Sequence, residues 1–290
     1  GATPLASNWR QMDDTLAITF AVTGIFFIVI NLLVVYMLLR FRHREGRRAA
    51  YEPDNKKLEK WLIVGSTIGI VGLLTPGLFV YAEYITVPRD AIEMEVVGQQ
   101  WQWRFRFPGA DGKLGRTDTR FVTSDNPFGI DPDDPAGRNN VLINSNEVHL
   151  PLNTPVRVWL RSHDVLHDFY VPPFRARMNI VPGMETSFWF TPTKEGRYEI
   201  MCAQLCGVGH PNMRGFVVVE DESRFKTWLK AQPTFAVAMA AANAGSPPAG
   251  TLAAQGKAPA QSKGCAACHT VDGSKSVGPT GKGLAGKTET

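Results

Sequence analysis

Two long apolar runs dominate the first third of the chain. They cover residues 15–39 and 61–81, and neither contains a charged side chain. Each has about the 20 residues needed to cross ~30 Å of hydrocarbon as a helix. A buried core helix is the alternative for either, but the length and the lack of charge favour a span. A signal peptide does not suit the first run, whose apolar stretch is too long and is followed by no small-residue cleavage site. Asn31 and Pro76 interrupt the runs. Polar residues and prolines in a span face protein rather than lipid, so this hairpin is expected to pack on a larger membrane partner.

Beyond residue 86 the period changes to two. Residues 92–97, 156–160, 186–190 and 198–201 alternate apolar and polar, 215–219 is almost wholly apolar, and Pro and Gly punctuate between them. This pattern predicts a small antiparallel β-barrel or sandwich. Residues 108–140, rich in Gly, Asp, Asn and Pro, read as one long loop, and 222–230 as a short closing helix. The expected organisation is an N-terminal segment 1–14, a two-span hairpin 15–86 with its loop at 40–60, and a β domain 87–230. An Ala/Gly/Pro-rich linker 231–262, with room for one helical piece, and a final piece 263–290 follow.

Charge adds orientation. The 290 residues carry a formal net charge of only +4, which gives no reason to expect nucleic acid as a partner. The β domain is balanced, with 17 basic and 18 acidic residues over 87–230. The loop between the spans instead holds Arg40, Arg42, Arg44, Arg47, Arg48, Lys56, Lys57 and Lys60. By the positive-inside rule that loop is cytoplasmic, so both termini and the β domain lie outside, as in a multi-pass protein of a bacterial inner membrane.

The chemistry is concentrated in Cys202-Ala-Gln-Leu-Cys206-Gly-Val-Gly-His210-Pro-Asn-Met213. Two thiols, an imidazole and a thioether are soft or borderline donors of the kind that suit copper. Gly207 and Gly209 let the backbone wrap closely around a small object. A second cluster upstream, His163-Asp164-Val165-Leu166-His167, offers another imidazole. Two thiolates can bridge two copper ions, each capped by one histidine, with Met213 and a backbone carbonyl as weak further donors. Taken singly, the cysteines also fit a disulfide and Met213 also fits core packing. His163 reads as an ordinary polar residue.

These parts, in this order over residues ~10–230, resemble subunit II of haem-copper cytochrome c oxidases: two-helix hairpin, Gly98-Gln99-Gln100-Trp101-Gln102-Trp103, Asp164-Val165-Leu166-His167, then Cys-x3-Cys-x3-His-x2-Met. The resemblance implies a cupredoxin-like barrel holding the dinuclear copper centre CuA. Carried over by position, its ligands are His167, Cys202, Cys206, His210, Met213 and the backbone carbonyl of Gln204. It further implies that electrons enter through Trp101, the plainer reading being an aromatic pair with Trp103. Glu59 falls at the mouth of the family's proton channel into subunit I, the plainer reading being a solvated charge beside Lys57 and Lys60. The family usually has a glutamate where this chain has Gln204, and uses its carboxylate for magnesium at the subunit interface. A neutral amide is a poorer ligand for hard Mg²⁺, so the resemblance supports copper here and not magnesium.

Cys265-Ala-Ala-Cys268-His269 is the attachment pattern of a covalent haem c, although a zinc or redox Cys-x2-Cys would also fit. Gly278-Pro279 follows at the spacing seen in class I cytochromes c, where the proline carbonyl accepts a hydrogen bond from the haem histidine. No methionine follows His269, so 263–290 reads as a partial all-α cytochrome c domain. The whole resembles oxidases whose second subunit carries a fused cytochrome c. That implies an electron-input subunit fed by cytochrome c or another respiratory donor, in membrane lipid, with subunits I and III as partners. Subunit I would reduce oxygen to water and pump protons. A nitric oxide reductase subunit is the near alternative. A membrane-anchored copper chaperone or a copper-free quinol oxidase subunit is the distant one.

Overall fold

The computed structural model describes residues 3–48, 51, 54–123 and 125–244, and beyond these only positions 256, 260, 265, 269–271, 273 and 280–283. The chain divides into two units, one of Trp9–Tyr84 and one that joins the N-terminal residues up to Asn8 with those from Ile85 onward.

In the first unit the two apolar runs lie within long helices, α1 (Arg10–Arg40) and α2 (Lys56–Ile85). Both are long and apolar enough to cross a membrane. They turn large apolar side chains outward all round, Phe27 and Phe79 being 70% and 74% exposed, as a segment solvated by lipid or partner helices does. Four of their hydroxyls are satisfied within their own helix: Thr19, Thr23, Ser66 and Thr75 each donate to the carbonyl four residues back. Asn31 does the same, its Nδ2 donating to Phe27 O at 2.7 Å, so this amide does not by itself require a neighbouring protein.

The second unit is a sandwich of two five-stranded sheets. The strands are β1 (Ile92–Gln99), β2 (Gln102–Phe107), β3 (Val141–Ile143), β4 (Glu147–Pro151), β5 (Val156–Ser162), β6 (His167–Val171), β7 (Ala176–Ile180), β8 (Thr186–Phe190), β9 (Gly196–Cys202) and β10 (Arg214–Glu220). One sheet has the order β3-β2-β1-β5-β8, the other β4-β10-β9-β6-β7. Of the expected barrel or sandwich the chain forms the sandwich, two open sheets facing each other. The expected antiparallel pairing is corrected at two places, since β1–β5 and β4–β10 pair in parallel. Alternation fixes which face of a strand is buried but not the direction of its neighbour. Phe105, Val158, Leu160, Phe169, Phe188 and Phe190 fill the core. The N-terminal residues join this unit, with Ala6 N donating to Pro173 O at 2.7 Å and Thr193 N to Ala6 O at 2.9 Å.

The long loop is more ordered than the sequence suggests, and the helical piece that the linker reading allows is present. Asn140 organises the loop, which also contains the short helix α3 (Pro135–Arg138). Its Oδ1 accepts from Arg106 and Gly115 N, and its Nδ2 donates to Lys113 O and Ala136 O. After α4 (Glu222–Lys230), the stretch read as linker opens with α5 (Phe235–Ala244). Phe235, Ala238 and Met239 recur at helical spacing and pack against Val97, Phe128, Ile130 and Leu142. Most of the remaining expected linker lies outside the described residues. Replacing Phe235 by Ala is expected to cost about 3 kcal/mol and expose α5 to proteolysis. Thermal unfolding and cleavage mapping of the full chain check this, and an unchanged melting point would contradict the packing.

Candidate metal centre

Three segments meet at one end of the second sheet. His167 opens β6, Cys202 ends β9, and the loop 203–213 returns to β10. Antiparallel pairing sets Phe169 opposite Cys202, which brings the histidine strand alongside the first thiol. Ala203 N donates to Asp168 O at 3.1 Å and Cys202 N to Met213 O at 3.3 Å, closing both ends of the loop. Gly207 sits at φ +115°, a conformation that side chains rarely adopt. At Gly209 a Cβ would fall 2.3 Å from Cδ2 of Trp101, so the indole lies directly on a bare stretch of backbone.

This geometry gathers the donors. Cys202 Sγ and Cys206 Sγ are 3.7 Å apart and unbonded. His167 Nδ1 lies 4.0 Å from Cys202 Sγ, and His210 Nδ1 lies 3.4 Å from Cys206 Sγ. Met213 Sδ is 3.9 Å from Cys206 Sγ, and Gln204 O is 3.2 Å from Cys202 Sγ. Each thiol is thus faced by one imidazole and one weaker donor. The ligand atoms of His167, Cys202 and Cys206 fall within 4.8 Å of one another, the separation that a metal ion spans. Two sulfurs, two aromatic nitrogens, a thioether and a carbonyl fit copper better than a hard cation. His163 stands outside the cluster.

The surroundings prepare these donors. Asp164 Oδ1 lies 2.8 Å from His167 Nε2, so a proton on Nε2 leaves the Nδ1 lone pair facing the sulfurs. Burial disfavours a charged His167 ring, but the Asp164 carboxylate and the Cys202 thiolate together outweigh it and raise the pKa. Burial also opposes ionisation of Cys202, yet hydrogen bonds with His167 and backbone groups lower that thiol well below its ordinary value. Burial and the neighbouring Cys202 charge raise Cys206. The pair therefore carries about one negative charge until a cation draws off the second proton.

Trp101 lies over this loop, its Nε1 donating to Cys206 O at 3.1 Å. Glu59 is elsewhere, in the first turn of α2, lining an open hollow of about 360 Å³ with Asp54, Lys56 and Lys60. Cys265 is exposed, and His269 N donates to Cys265 O at 2.9 Å. Cys268 and Pro279 lie outside the described residues. Two residues of the site, Asp164 and Gln100, stand in the sequence motifs but had no role assigned from them. Asp164 was readable as a carboxylate three positions before the histidine. Gln100 had no local signal beyond its place beside Trp101.

The family model for the periplasmic domain of cytochrome c oxidase subunit II matches residues 92–221, which span all ten strands. An alternative cytochrome c oxidase subunit 2 from Bradyrhizobium diazoefficiens is 53% identical over 81% of this chain and 84% of its own length. A cytochrome c oxidase subunit 2 from Cereibacter sphaeroides is 27% identical over 79% and 77%. A solved structure, the periplasmic domain of subunit II of cytochrome oxidase from Bradyrhizobium japonicum, is 25% identical with a TM-score of 0.37, covering 50% of this chain and 95% of that one. A relative at 53% identity that shares most of its length with this chain, together with the family domain laid over the sandwich, shows that the chain belongs to the cytochrome c oxidase subunit II family.

Proposed function

We propose that this chain is the electron-input subunit of a respiratory, proton-pumping cytochrome c oxidase, and that His167, Cys202, Cys206, His210, Met213 and the Gln204 carbonyl hold a dinuclear CuA centre. The observation that carries the reading is the thiol pair 3.7 Å apart, each sulfur faced by its own histidine Nδ1. Bound there, copper would accept one electron at a time from a c-type haem donor and release it toward subunit I, where oxygen is reduced to water. The protein's part is to hold the donors still. Asp164 keeps His167 in the metal-binding tautomer, and burial of the His167, Cys202, Cys206 and Met213 side chains keeps water from these donors, which limits reorganisation on electron transfer. Trp101 is the point of electron input, held on the ligand loop by its N–H bond to Cys206 O. Leu205 and Val208, 77% and 91% exposed, project from the loop itself, and residues 99–103 and 203–213 carry no Asp, Glu, Lys or Arg, which suits an apolar contact with the donor.

Cys265, Cys268 and His269 would attach a covalent haem c, making the tail a tethered donor whose effective concentration is on the order of mM. The pairing of residues 6–8 with the sandwich supports a topology with both ends of the hairpin on the outer face and loop 40–60 in the cytoplasm. Subunits I and III and the lipid would cover the apolar helices, and Glu59 would stand at the proton-channel mouth. The ligand loop holds no carboxylate, so it does not fit a magnesium site, and no step is assigned to one. A copper-delivery role is less well supported. Handing over a metal needs accessible ligands, whereas His167, Cys206 and Met213 are 0%, 3% and 0% exposed.

The test is copper analysis and electron paramagnetic resonance on the purified complex, with a stain for covalent haem after denaturation. Two coppers sharing one unpaired electron in this subunit are expected. A single copper with a four-line pattern, or none, would refute the reading, and absence of haem from the denatured chain would remove the tethered donor.

A further inference from the structure

We infer that Gln100 is a positioning residue of the copper centre, a clamp that ties Trp101 to both ligand segments and holds up the reduction potential of the site. The inference rests on the copper reading above.

Gln100 acts through three groups. Its side-chain Nε2 donates to Cys206 O at 2.8 Å, the same oxygen that accepts from Trp101 Nε1 at 3.1 Å. Its backbone N donates to Asp164 Oδ2 at 2.6 Å. Asp164 Oδ1 in turn lies 2.8 Å from His167 Nε2. One residue thus reaches the second thiol through a carbonyl and the upstream histidine through a carboxylate, and it is covalently joined to the indole. Glycine at residue 207 gives this contact its room: a Cβ there would lie 3.0 Å from Gln100 Nε2, tight enough to press on it.

Two N–H dipoles aimed at the Cys206 carbonyl draw electron density from the residue whose sulfur would bridge the metals. Hydrogen bonds around a copper-binding cysteine tune its potential, and groups behind the ligands fix ligand orientation. Without the Gln100 donor, the sulfur becomes a stronger electron donor, the oxidised centre is favoured, and the potential falls. The ligand loop and Trp101 also lose a shared anchor, which slows electron input.

The test is made on the assembled oxidase with Gln100→Leu and Gln100→Glu, reading copper content, hyperfine pattern, midpoint potential and the single-turnover rate of electron input. Both variants should keep two coppers, show an altered hyperfine pattern and a lowered potential, and take up electrons about tenfold more slowly, the lower end of the usual loss for a residue behind a metal ligand. Gln100→Glu should lower the potential further, because its carboxylate adds negative charge and cannot donate. Wild-type potential and hyperfine pattern in both variants would overturn the inference. So would a Glu variant indistinguishable from wild type beside a Leu variant that has lost its copper, since shape alone would then explain the residue. Loss of copper from both would make Gln100 a folding residue only and overturn it as well. A wild-type complex without paired copper would instead sink the underlying reading, before any variant is made.

Discussion

Replacing Cys206 by Ser is expected to abolish the paired copper signal and to cut turnover with an external donor by more than about 100-fold, since residues merely behind a metal ligand already account for 10–100-fold. Cys206 is the hub of the cluster. Its sulfur lies within 3.9 Å of the other thiol, of His210 Nδ1 and of Met213 Sδ. A serine hydroxyl is hard and stays protonated near neutral pH, so it can neither bridge two soft ions nor draw His210 and Met213 into one coordination set. The substitution changes one atom in a loop, and the strands on either side keep their ladder, so the sandwich should melt within about 1 kcal/mol of wild type. Metal analysis, paramagnetic resonance and thermal unfolding of the same preparation separate the two effects. Normal copper with normal turnover would show that Cys206 is not a ligand.

The features legible in the sequence were those whose physics is local. The two apolar runs could be read because every residue of a span must suit hydrocarbon. Four donors of the cluster could be read because they fall inside one twelve-residue loop, and His167 because the family motif marks it. What escaped was set by long-range contacts. Gln100 meets Asp164 across 64 positions and Cys206 across 106, and no local pattern encodes such a meeting. The parallel pairing of β1 with β5 escaped for a similar reason, since alternation is silent on strand direction. α5 was legible only as a helical piece within an Ala-rich linker; its packing was not, because the pocket that Phe235 fills is built from residues far away in sequence.

β1 provides the sharpest case, and it leads to the largest expected loss of stability. In Ile92-Glu93-Met94-Glu95-Val96 the alternation predicts two glutamates facing water. Glu93 is partly exposed, but the Glu95 side chain is 3% exposed, because the long loop and α5 cover the outer face of this strand. Glu95 is held between Arg106 and Arg161. Arg106 is itself 3% exposed, donates through Nη1 to Asn140 Oδ1 at 2.7 Å, and has its pKa lowered by burial despite its partner. Glu95→Leu would leave two guanidiniums facing each other with no counter-charge, at a cost of about 3–5 kcal/mol. For a domain of this size that is roughly 10 °C or more in melting temperature. The double variant Glu95→Leu, Arg106→Met should recover at least half of the loss, because a buried pair replaced by apolar groups of similar volume is often neutral while a broken pair is not. Thermal unfolding of the two variants checks both parts. A single variant that melts with wild type would mean that the two arginines find water or other partners and that Glu95 does not hold this face of the sheet.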